Sequence, residues 1–91
     1  MRSCSDEDID LRARLCVALT EALRGQDPVA VPALRSVLGA IGKAADISAV
    51  IEAEIGNRLA AARGYEASGQ AGQAQQLRRE VSAITTALSD G

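Results

Sequence analysis

The chain has 91 residues, with ten Lys plus Arg against twelve Asp plus Glu and a pI near 5.0. That length leaves room for one domain with one modest core, and that balance gives no long-range pull toward nucleic acid or acidic lipid. Phe, Trp and His are absent and Tyr65 is the single aromatic, which excludes imidazole chemistry and base-stacking platforms.

The first residues, MRSCSDEDID, are acidic where a secretion signal needs a basic start and an apolar run. Arg24, Arg35, Lys43 and Glu52 interrupt every stretch that approaches the roughly 18 apolar residues of a spanning helix. The expectation is a cytoplasmic protein with no membrane segment and a loose end over residues 1–5.

The first helix is predicted from Asp6 to Arg24. Ser5 with Asp8 resembles a capping box, Asp6, Glu7 and Asp8 suit the positive helix end, and Gly25 marks the stop. Leu11, Leu15, Ala18, Leu19, Ala22 and Leu23 form its apolar stripe. Cys16 is expected to pack within this helix and Cys4 to be a free thiol, because a disulfide between them would require the end to fold back. Two thiols without a histidine make no four-ligand zinc site.

In the segment GQDP, Asp27 is placed to cap a second helix and Pro28 to occupy its first position. This helix is predicted to reach Ala44 and to bury Val31, Leu34, Val37, Leu38 and Ile41. Pro32 removes a hydrogen-bond donor in its first turns, which predicts a kink or a start nearer Val31. Gly39 and Gly42 suggest a close approach of another backbone, a bend for a groove being the alternative.

A third helix, capped by Asp46, is predicted over Ile47–Ser68 with Ile47, Val50, Ile51, Ile55, Leu59, Ala62 and Tyr65 on one side. Gly69 and Gly72 bracket the turn into a fourth helix, from Ala71 or Gly72 to Leu88, presenting Ala74, Leu77, Val81, Ile84 and Leu88. The turns are short, so the expected fold is all-α: one compact domain over residues 1–91, a four-helix bundle whose long hairpin is the third and fourth helices.

No Gly-rich phosphate loop, hydrolytic triad or paired-carboxylate motif is present, and Glu52 and Glu54 diverge around their helix. No catalytic, cofactor or metal residue is therefore assigned. The candidate binding surface is Arg35, Arg58 and Tyr65. Arg35 follows Leu34 and Arg58 precedes Leu59, so both stand at edges of buried faces. There an arginine either satisfies a structural ion pair, with Glu52, Glu54, Glu66 or Glu80 as the available acids, or recognises phosphate or carboxylate. Tyr65 either closes the apolar end of the bundle with its hydroxyl tied to a neighbour or makes a rim contact with a ligand.

Two stretches, LRARLCVALTEALRGQDPVAVPALRSVLGAIGKA and VIEAEIGNRLAAARGYEASGQAGQAQQLRREVSAITTAL, resemble the GatB/YqeY-like proteins. The likeness lies in a Leu-rich first helix, an Asp in the turn, LR and then LGAI on the second helix, EI with a following Arg, and a Tyr four residues before Gly. Asp27, Leu34, Arg35, Ile41, Glu54, Arg58, Tyr65 and Gly69 occupy the matching positions. The resemblance implies the N-terminal helical domain of that family, related to the tail of the B subunit of glutamyl/aspartyl-tRNA amidotransferase. It further implies a non-catalytic binding module acting on tRNA or on a tRNA-handling protein. Gln70 stands where an Arg commonly follows the Gly. The Ala-rich faces and acidic balance support the alternative, a protein-interaction or assembly module without RNA binding, self-association included.

Overall fold

The computed structural model describes residues 6–42 and 46–89, with side chains from Ile9 onward. It contains four helices, α1 (Asp6–Gly25), α2 (Ala30–Ile41), α3 (Ile47–Ala67) and α4 (Ala71–Ser89), and no strand among the described residues. None of these helices is long and apolar enough to cross a membrane. Ser5 and Cys4 lie outside the described residues, and so does Ala44, to which the second helix was expected to run.

The α1–α2 corner shows how side chains place an element. Asp27 Oδ1 accepts from the backbone N–H of Val29 at 2.9 Å and of Ala30 at 3.0 Å, and its own carbonyl accepts from Val31 at 3.2 Å. Asp27 therefore caps the first turn, and these two donors, Ala30 first and Val29 second, hold its carboxyl below the usual range. Pro32 cannot donate to the Pro28 carbonyl, so the regular hydrogen-bond ladder begins only at Ala30.

The stop before this corner differs from expectation. The Asp27 N–H bonds the Ala22 carbonyl and the Gln26 N–H bonds that of Leu23. The left-handed residue of this closing motif is thus Gln26, at φ 54°, rather than Gly25. The same motif ends α3 with glycine in place: Gly69 has φ 82°, the Gln70 N–H reaches the Tyr65 carbonyl at 2.7 Å, and the Gly69 N–H reaches Glu66. Asp46 caps α3 as expected, accepting from Ala49 N–H at 3.0 Å.

α2 ends at Ile41, with Gly42 at φ 40° donating to Leu38. The expected close packing at Gly39 and Gly42 is not found. Gly39 is exposed and a Cβ there would meet no atom within 4 Å, while a Cβ on Gly42 would come within 3.3 Å only of the Gly39 carbonyl oxygen. Gly42 is there for its positive φ.

The core gathers Leu15 from α1, Leu34, Val37 and Ile41 from α2, Ile47 and Ile51 from α3, and Ile84 and Ala87 from α4. Fully burying each such aliphatic side chain contributes about 1.5–3 kcal/mol before the entropy of ordering is set against it. The most extensive pairing is α3 with α4, then α1 with α2. The molecule has an elongated 48 × 30 × 20 Å outline. Two residues assigned to the interior stand outside it: Leu23 is 46% exposed, and Cys16 is an exposed free thiol.

Candidate functional site

Arg58 sits midway along α3, one turn after Glu54 and facing Glu80 of α4. Its Nη1 lies 2.8 Å from Glu54 Oε1 and its Nε 3.0 Å from Glu80 Oε1, and Nη1 also donates to the Glu54 carbonyl at 3.2 Å. Ser36 Oγ of α2 donates to the same Glu54 oxygen at 3.3 Å. The chain Ser36, Glu54, Arg58, Glu80 thus ties three helices together. Burial opposes the charged guanidinium, but hydrogen bonds to Glu54 and then Glu80, with their charges, outweigh it and raise its pKa. With its side chain only 13% exposed, Arg58 fills the structural ion-pair role with two of the four acids named from sequence.

Arg35 is exposed and makes no ion pair or side-chain hydrogen bond among the described residues. Of the two candidate arginines it is the one whose fork is open to a ligand. Tyr65 is half-buried on α3, two turns beyond Arg58 and about 10 Å further along the axis. It lines a hollow of about 390 Å³ with Gly72, Gln73, Gln76 and Leu77 at the hairpin turn. The Tyr65 hydroxyl makes no hydrogen bond to a described residue, contrary to the tie expected of it. Arg58 and Tyr65 therefore share the hairpin, whereas Arg35 belongs to another helix, and the three do not converge on one ligand position.

The sequence did not reveal one recess. A cleft of about 500 Å³ opens between α1, α2 and α4, floored by Ala18, Ala22, Ala30, Leu34 and Ala87, with Glu21, Asp27, Arg79, Ser82 and Thr86 around it. Its available signal was the run of alanines on three inward faces: side chains that short let helices approach, and they leave a trough where helix axes diverge. Arg79 belongs to this rim, while its neighbour Arg78 pairs with Glu66 of α3 at 2.9 Å on the exposed side of the hairpin.

No polar or charged side chain among the described residues is buried, and none of their His, Cys, Asp and Glu groups forms a cluster of three suited to a metal. The cleft has the character of a contact surface: an apolar floor, a rim of mixed charge and two hydroxyls. Comparison with known proteins found no matching family model, no matching characterised protein and no matching solved structure.

Proposed function

We propose that this chain is a non-catalytic binding module whose ligand is a protein, of the tRNA-handling kind that the resemblance to the GatB/YqeY-like proteins implies. The observation that carries this reading is the open α1–α2–α4 cleft. Its alanine floor suits the apolar side of a helix or strand, and its Glu21, Asp27 and Arg79 rim suits polar contacts around that side. The engagement of Arg58 within the chain supports it from the other direction, because a guanidinium already held by two carboxylates has little left to offer a phosphate.

A photo-crosslinking residue in place of Thr86 tests this reading in cells. The expected result is one defined protein adduct that Ser82→Arg, an exposed rim change, abolishes without shifting the melting temperature. A spread of adducts indifferent to Ser82→Arg would sink it.

The exposed Arg35 supports a second reading, direct contact with tRNA. Its test is titration with total tRNA at two salt concentrations: binding should fall steeply with salt and weaken in Arg35→Ala. Absence of binding at low ionic strength would refute it. Arg58→Ala is the wrong probe here, since it removes the centre of a structural network.

A further inference from the structure

The outer flank of α1 carries alternating charges around one exposed apolar residue, Val17. Asp10, Ala13, Arg14, Val17, Glu21 and Arg24 recur three and four residues apart and so share one side of the helix. Leu15 and Ala22, which face the core, lie on another side. Val17 at the centre of this flank is 58% exposed, and with Ala13, Ala18, Ala87 and the charged Asp10, Arg14 and Glu21 it lines a hollow of about 390 Å³.

We propose that this flank binds a second copy of the chain, with the two α1 helices antiparallel across a two-fold axis at Val17. The order of charges selects this occupant. Along the flank they run acid, base, valine, acid, base: Asp10, Arg14, Val17, Glu21, Arg24. Turning a second copy end for end about Val17 sets Asp10 opposite the other copy's Arg24 and Arg14 opposite its Glu21. Both pairings are then of opposite sign and each occurs twice by symmetry, giving four contacts. A parallel arrangement would set each charge against itself.

Two of the four charges are uncommitted and the other two keep capacity: Asp10 pairs through Oδ2 with Arg14 and retains Oδ1. Glu21 and Arg24 are exposed and make no ion pair among the described residues. Arg14, 34% exposed, commits Nε to Asp10 at 3.0 Å and Nη1 to the Leu88 carbonyl, leaving further N–H groups of its fork. Each Val17 then meets the other copy's Val17 across the axis, removing two β-branched side chains from water. The seam is short, so the dimer belongs to the weak, concentration-dependent class. It shares Ala18, Glu21 and Ala87 with the α1–α2–α4 cleft, but Thr86 adducts and self-association are measured separately, so either reading can fail alone.

Sedimentation equilibrium on the whole chain up to about 1 mM should show a monomer–dimer equilibrium that weakens with salt. Val17→Glu and Glu21→Lys should each weaken it about tenfold or more, with unchanged circular dichroism. Mixing the Glu21→Lys chain with an Arg14→Glu chain restores all charge pairings, so the mixture should associate where neither variant does alone. If Arg14→Glu fails to fold, Val17→Cys in a Cys4→Ser, Cys16→Ser background supplies the second measurement. Mild oxidation should link it across the axis as a covalent dimer. A chain that stays monomeric throughout that range, or a dimer indifferent to Val17 and Glu21, would overturn the proposal.

Discussion

Two glycines three residues apart, one within α2 and one closing it, should respond to the same substitution with opposite signs. Gly39 lies inside the helix, exposed, and an added Cβ meets no atom within 4 Å. Alanine there gains helix propensity and lowers the entropy of the unfolded chain, so Gly39→Ala should stabilise the fold by about 0.5–1 kcal/mol. Gly42 closes the helix at φ 40° and ψ −111°, where its Cβ would sit 3.3 Å from the Gly39 carbonyl oxygen. Alanine at that position adds backbone strain of about 1–2 kcal/mol, which the same entropy gain offsets only in part. Urea unfolding followed by circular dichroism reads both changes as midpoint shifts at constant slope. Each kcal/mol corresponds to about 4–8 °C in Tm for a domain of this size. A Gly39→Ala variant less stable than the parent would mean that another backbone does pack there, and a neutral Gly42→Ala would remove the reason given for that glycine.

Four further outcomes follow from the same geometry. Arg58→Ala strands Glu54 and Glu80 against each other in a mostly covered position and should cost about 2–3 kcal/mol, whereas Arg58→Lys, which keeps the charge but not the fork, should cost about 1 kcal/mol; equal losses in thermal unfolding would refute the two-carboxylate role. Gln26→Gly relieves a left-handed conformation and should raise stability by about 0.5–1 kcal/mol, checked by the same urea titration. The Asp27 carboxyl has a depressed native pKa, so its contribution is present above the ordinary value of 3.8 and is lost as pH falls through the lower native one; the acid limb of the stability–pH curve should flatten in Asp27→Asn. Cys16 is exposed, so in a Cys4→Ser background a thiol reagent should label the native protein as fast as the unfolded one, and protection would contradict its placement.

Much of the local structure was legible in the residues. Asp27 and Asp46 place helix starts because a short side-chain carboxylate satisfies free backbone N–H groups wherever the chain leaves an extended or turn conformation. Gly69 places a stop because glycine adopts positive φ without strain. The stripe Leu34, Val37, Ile41 identifies the buried side of α2 because helical periodicity is a property of sequence. Gln26 defeated the corresponding reading at Gly25, since the backbone motif that closes α1 tolerates a strained residue once Asp27 and Ala22 fix its hydrogen bonds.

The candidate site was legible only as residue types. Arg35 and Arg58 look alike in sequence, each beside a leucine of an apolar stripe, and their fates differ because Glu80, 22 positions away on α4, faces one and no described acid engages the other. Cys16 and Leu23 were misplaced for a related reason. Periodicity locates a helix face, but how far around that face the burial extends depends on where the neighbouring helices lie.

The sequence by itself determined four helices, the Asp27 and Asp46 starts, the Gly69 stop and most of the buried faces, because hydrogen-bond satisfaction at helix ends and the 3.6-residue period act over a few residues. Only the tertiary structure decided that Arg58 is held between two carboxylates, that alanines on three helices open a cleft, and that α1 leaves Val17 exposed among charges. Each of these rests on the distances and angles between helix axes, which are set by the packing of the whole core and are written in no local segment.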